Sequence, residues 1–168
     1  MKKGFTMIEL IFVIVILGIL ASVAIPRLAA TREDAEISAT VANLRTLLSD
    51  ISAYYTVKGE FGTGTNAAKW KDITNVPLTK NGGVPITTES ATQEVYLYIG
   101  GTRCIGVTSF DRLGPLPAFI QFVANNPDTS SVCKQVLAAA PIKAYFDSKV
   151  KDGLPGTIAI GSSISIYD

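Results

Sequence analysis

From Leu10 to Ile25 the chain carries sixteen residues of which only Ser22 is polar. Taken as helix, Phe5 to Ile25 is 21 residues, which at about 1.5 Å each span about 31 Å, the thickness of a bilayer hydrocarbon core. No other feature restricts the fold so strongly, because such a segment must be buried in lipid or against other apolar surface. Lys2 and Lys3 before it, and mixed charges after it, place the N-terminus on the cytoplasmic side by the positive-inside rule and send the remaining chain outward. The competing reading is a cleaved secretory signal, with a basic start, an apolar stretch and small residues at Ser22 and Ala24. Against it, Pro26 falls just past a cut after Ala24, and Glu9 sets a carboxylate inside the early apolar segment, where a signal peptide gains nothing from it. A carboxylate costs about 2.5–3.5 kcal/mol at the centre of a membrane helix and less near its end. Glu9 is therefore either a functional group or a marker of the membrane boundary.

Composition narrows the chemistry. The 168 residues include 15 Lys+Arg, 14 Asp+Glu and no histidine. Without histidine the commonest general base, the Ser-His and Cys-His nucleophile systems and most zinc sites are absent, which disfavours an enzyme. A formal charge of +1 argues equally against a nucleic-acid binder that relies on bulk positive charge.

Beyond Pro26, residues Ile37, Val41, Leu44, Leu48, Ile51 and Tyr55 recur in steps of four and three, one apolar stripe along a helix, with Glu33, Glu36, Asn43 and Asp50 elsewhere around it. Lys58-Gly59 supplies a basic last turn and a left-handed stop. Phe5 to Lys58 is 54 residues, about 80 Å if continuous, with a bend expected at Pro26. The stripe is too short for a coiled coil and suits packing on the chain's own sheet. That sheet must come from Gly59 to Asp168. Val95–Ile99 and Cys104–Val107 read as a hairpin around Gly100-Gly101, and Thr157–Ile160 and Ser163–Tyr167 as another around Gly161-Ser162. Phe119–Val123 reads as strand or short helix, and Ser130–Ala140 as a helix stopped by Pro141. Gly59–Ala68 and Asn75–Gly83 read as surface connections.

Cys104 and Cys133 are the only cysteines. Exported by this topology they enter an oxidising compartment, where a disulfide is the default and contributes about 3–4 kcal/mol; two buried free thiols are the alternative. Other constellations carry less. Gly62-Thr63-Gly64-Thr65 lacks the Gly-Lys-Ser/Thr of a phosphate loop and reads as a turn. Asp147, Asp152 and Asp168 are sparse for calcium and share their segment with Lys149 and Lys151. Arg103 and Arg112, with Tyr96, Tyr98 and Phe110 nearby, read as solvated arginines and core aromatics before they read as a DNA-binding patch.

The opening Lys2-Lys3-Gly4-Phe5-Thr6-Met7-Ile8-Glu9-Leu10, with Gly18 and Pro26 in the apolar run, resembles the class III signal of type IV pilins and pseudopilins, closely over about the first 30 residues and in character over the next 30. The resemblance implies cleavage by a prepilin peptidase between Gly4 and Phe5 and N-methylation of Phe5. It makes Glu9 the fifth mature residue and the assembly glutamate that fixes subunit register, and it places Gly18 and Pro26 at helix-loosening positions. It implies an α+β pilin fold, a long N-terminal helix packed on a C-terminal antiparallel sheet. The chain then divides into leader 1–4, transmembrane and filament-core helix 5–25, amphipathic continuation 26–58 and outer β-rich domain 59–168. A Cys104–Cys133 disulfide agrees with the cysteine-bounded loop of many type IV pilins, although here the second cysteine lies 35 residues before the end, so surface roles do not carry over. The implied function is a structural filament subunit without catalysis, cofactor or metal. Its partners are identical or related pilins, the peptidase and inner-membrane assembly machinery, and it is held single-pass in the bacterial inner membrane before assembly. Losing the leader turns 15 basic against 14 acidic side chains into 13 against 14, a formal −1 before the termini. The alternative is a membrane-anchored or secreted periplasmic binding module that does not polymerise.

Overall fold

A computed structural model describes residues 4–112, 116–125, 130–150 and 154–161. Among the described residues nine elements follow in order: α1 (Met7–Lys58), a 3₁₀ turn (Gly64–Asn66), α2 (Trp70–Ile73), β1 (Val95–Ile99), β2 (Thr102–Phe110), β3 (Phe119–Ala124), α3 (Ser131–Ala138), α4 (Ala140–Asp147) and β4 (Thr157–Ala159). The chain forms two compact units, one up to Ala35 and one from Glu36 on. The fold is α+β, as expected: a long N-terminal helix and a four-stranded antiparallel sheet in the order β1-β2-β3-β4.

In the first unit, α1 exposes apolar side chains from Leu10 to Ile25, with Ser22 the one polar residue among them. Its two mid-helix hydroxyls donate back to the helix's own carbonyls, Ser22 Oγ to Ile19 O at 2.7 Å and Thr31 Oγ1 to Leu28 O at 2.9 Å. Both hydroxyl donors are thereby satisfied without water.

In the second unit, the inner sheet face supplies Val95, Leu97, Ile99, Ile105, Val107, Ile120 and Phe122 to one core that also holds Leu44, Leu47 and Ile51 of α1. Every residue of the expected stripe is buried or half-buried, but its centre runs through Thr40, Leu44, Leu47 and Ile51, with Val41 and Leu48 on the flank. Thr40 is tolerated at the centre because its hydroxyl donates to Glu36 O at 2.8 Å. The helix stops as expected: Gly59 has φ +78° and its N–H donates to Tyr55 O at 2.7 Å.

The first hairpin forms with Gly100 and Gly101 both at positive φ, 58° and 77°, the requirement of a type I′ turn. Its second arm is longer than expected, reaching Phe110. Phe119–Ala124 is strand, paired on both sides by β2 and β4, so the hydrogen-bonding partners decide what its periodicity left open. β4 pairs with β3, while the expected return arm Ser163–Tyr167 lies outside the described residues.

Two expectations are corrected. Pro141 does not simply end a helix. The chain breaks at Ala139 (φ −63°, ψ 127°) and Pro141 opens α4, in the first turn, where a missing N–H costs nothing. The stretches read as surface connections also feed the core: Phe61, Ala68, Val76 and Leu78 are buried. So is Trp70 on the unforeseen α2, its Nε1 donating to Gln93 O at 2.9 Å. Isolated apolar residues among Gly, Thr and Asn carry no period and give no signal of burial.

Candidate functional site

The N-terminal site begins before the helix. Gly4, Phe5 and Thr6 precede α1, and Thr6 caps it. Thr6 N–H and Thr6 Oγ1 donate to Glu9 Oε2 at 2.8 and 2.6 Å, while Glu9 N–H donates to Thr6 Oγ1 at 3.4 Å. This reciprocal arrangement is a capping box, in which a Thr and a Glu three residues on satisfy each other's orphan donors. Glu9 is thus bonded within its own chain through one oxygen, and no bond to Oε1 is formed among the described residues. The Thr6-x-x-Glu9 spacing is the sequence signal of such a box. The helix is expected from Phe5, but Phe5 stands outside α1, which starts at Met7.

Gly18 is uncrowded, for a Cβ built on it meets nothing within 4 Å. The isolated chain therefore has no steric need of glycine there. Pro26 lies inside α1, which continues past it; lacking an N–H, it leaves Ser22 C=O without its intrahelical donor. Apolar side chains from Phe5 to Leu28 are exposed throughout, Phe5 at 90% and Leu28 at 73%.

Cys104 and Cys133 are joined by a disulfide, and both are fully buried. Two local features deliver the sulfurs. The β1–β2 register slips between Leu97 and Tyr98, so that Leu97 faces Ile105 while Tyr98 faces Arg103 and Cys104 is the extra residue of a bulge. Opposite it, Ser130 caps α3 by accepting from Cys133 N–H at 3.3 Å, which sets Cys133 in the first turn.

The remaining constellations do not assemble. Arg103 and Arg112 lie beyond opposite ends of the Cys104–Phe110 stretch of β2; Arg103 sits over the ring of buried Tyr96 at 4.9 Å, and Phe110 stacks on Phe119 at 4.8 Å. Asp152 and Asp168 lie outside the described residues, among which no group of three or more His, Cys, Asp or Glu is placed to hold a metal. Gly62 and Gly64 take positive φ around the 3₁₀ turn. A polar centre that the sequence did not announce is Glu89. Its Oε2 accepts from Thr87 and Thr88 N–H at 2.6 and 3.0 Å, and Lys80 Nζ lies 3.2 Å from its Oε1. The Thr87 amide, above all, lowers its carboxyl to about 2.

These features define a class: a long helix that opens on a capping box, exposes an apolar first half and continues into an α+β domain. Residues 1–25 match the family described as Prokaryotic N-terminal methylation motif. The chain is 34% identical to a fimbrial protein of Neisseria meningitidis serogroup A over 99 residues, 54% of this chain and 58% of that protein. It is 35% identical to a fimbrial protein of Neisseria meningitidis serogroup B over 111 residues, 61% and 64% of the two chains. Over 53 residues it is 40% identical to the type II secretion system core protein G of Dickeya chrysanthemi, 32% of this chain and 35% of that protein. The chain spans less than two thirds of the length of each of these relatives. No solved structure matches it.

Proposed function

We propose that this chain is a structural subunit of a type IV pilus or pseudopilus-like filament, made as a prepilin and assembled through its N-terminal helix. The observation that carries the reading is the exposure of fifteen large apolar side chains between Phe5 and Ile25 beside a domain with an ordinary buried core. At about 1.5–3 kcal/mol per side chain, burying them is worth about 20–45 kcal/mol. Lipid supplies that burial in storage and neighbouring helices supply it in the filament. A single buried charge pair contributes far less, so apolar packing holds the filament while Glu9 selects the register.

In this reading prepilin peptidase cuts between Gly4 and Phe5 and the new Phe5 amine is methylated. Residues 1–4 are the leader, 5–25 the membrane and filament-core helix, 26–58 its amphipathic continuation and 59–168 the outer domain. The subunit waits in the inner membrane with its N-terminus cytoplasmic until the assembly machinery extracts it. The capping box supports the role given to Glu9: one oxygen holds the chain's own helix start while the other is left for the amine of a neighbouring subunit. The uncrowded Gly18 and the missing N–H of Pro26 support local loosening of the helix during packing. Mass spectrometry of the mature N-terminal peptide tests the reading: it requires a peptide beginning at N-methylated Phe5. A mature chain beginning at Met1 or cut after Ala24 refutes it, as does a Glu9→Gln variant that assembles with wild-type efficiency.

A further inference from the structure

Lys80–Gly83 is a tight turn, closed by Gly83 N–H donating to Lys80 O at 3.1 Å, on the segment that pairs through Thr79 with the outer edge of β1. At its tip Asn81 is exposed and Gly82 follows it with φ +92° and open space where a side chain would be. Arg103 Nη1 donates to Asn81 Oδ1 at 3.0 Å. A guanidinium only donates, so the amide atom facing it must be the oxygen, and the amide nitrogen points away from it. Arg103 is itself held by the ring of Tyr96, 4.9 Å below its Cζ, and no carboxylate lies within ion-pair distance of it among the described residues.

We propose that Asn81 is a self-modification site, converted to aspartate and isoaspartate through a cyclic imide formed with Gly82, with Arg103 assisting. The Gly82 nitrogen attacks Cγ of Asn81 and loses its proton to solvent; the Cγ–Nδ2 bond breaks and the nitrogen, taking up a proton, leaves as ammonia. Water then opens the imide at either carbonyl. No electrons are transferred and water is the only co-reactant. Negative charge develops on Oδ1 during attack, where the guanidinium already sits, and a donor placed there lowers the barrier. In the aspartate product the side-chain carboxylate occupies the place of the amide and gives Arg103 a counter-ion.

Two other exposed asparagines serve as internal comparisons. Asn66 is followed by Ala67, whose N–H donates to Gly64 O at 3.3 Å, and Asn75 by Val76, whose N–H donates to Thr74 Oγ1 at 3.1 Å. In both the attacking nitrogen is committed and shielded by a side chain on the following residue. Gly82 N–H donates no hydrogen bond among the described residues.

The test incubates the full-length chain in non-ionic detergent at neutral pH and, after reduction, follows the tryptic peptide that begins at Asn81, ending at Arg103 in the wild type and at Arg112 in Arg103→Gln, which reports the amide-to-acid mass change and separates the two acid isomers. Folded protein should convert Asn81 at least about tenfold faster than Asn66 or Asn75, and Arg103→Gln should slow Asn81 about tenfold, since one donor at a developing oxyanion is removed. In urea the wild-type and variant chains should convert at equal rates. If Arg103→Gln does not fold, Arg103→Lys, which retains charge without the planar fork, should give a smaller slowing. Equal rates for wild type and the folded Arg103 variant, or an Asn81 no faster than Asn66 and Asn75, overturn the proposal.

Discussion

Removing the Cys104–Cys133 bond should destabilise the outer unit by an amount that its topology sets. The two residues are 29 apart in sequence, and closing a loop of that size in the unfolded chain removes about 12 cal/mol/K, or about 3.6 kcal/mol at 25 °C. The bulge at Cys104 and the cap at Ser130 already place both residues in native positions, so little native strain offsets this gain. Replacing both by alanine also removes two fully buried sulfur atoms, and a small cavity term of about 1 kcal/mol adds to the loss. For a unit of this size the total should lower the melting temperature by about 10–18 °C. The assay is thermal unfolding followed by near-ultraviolet circular dichroism in non-ionic detergent, comparing wild type, each single Cys→Ala variant and the double variant. Either single change should lose nearly the whole effect, because the bond disappears with the first sulfur. A double variant melting within a few degrees of wild type would refute the reasoning, since the loop-entropy term leaves no room for so small a change.

Glu89 and the helix stripe provide further checks. The folded carboxyl of Glu89 sits at about 2 against an ordinary value of 4.5. A depressed pKa contributes stability above the unfolded value and loses it as pH falls from about 4.5 to about 2. Glu89→Gln should cost about 1–2 kcal/mol at neutral pH, from its two amide hydrogen bonds, and the difference from wild type should shrink through that acid window; a constant difference down to pH 2, read from melting curves, would contradict it. Leu47→Ala should cost about 3–5 kcal/mol and Leu48→Ala about 1–2 kcal/mol, because only Leu47 is fully buried. Equal losses in denaturant unfolding would return the stripe to the position its spacing first suggested.

Much of this protein is decided by short-range pattern. The apolar run from Leu10 to Ile25, the Thr-x-x-Glu helix start and Gly59 each act within a few residues of chain, and so do the paired glycines at 100 and 101. The helix, its two ends and the first hairpin follow from them without reference to the rest of the molecule. The segment that matches the N-terminal methylation motif belongs to the same group, because residues 1–25 are one linear stretch of chain. What the tertiary structure alone decides is everything that depends on a distant partner. Phe119–Ala124 is a strand because β2 and β4 bond to it on either side. Trp70, Phe61 and Leu78 are core because of what closes over them, and the face of α1 turns toward Leu47 because the sheet it covers is assembled from residues 95 to 159. Cys104 meets Cys133 through a one-residue bulge, and Arg103 meets Asn81 across 22 residues of sequence. Such contacts leave no periodic trace, since each depends on where the chain returns and not on what its neighbours in sequence are.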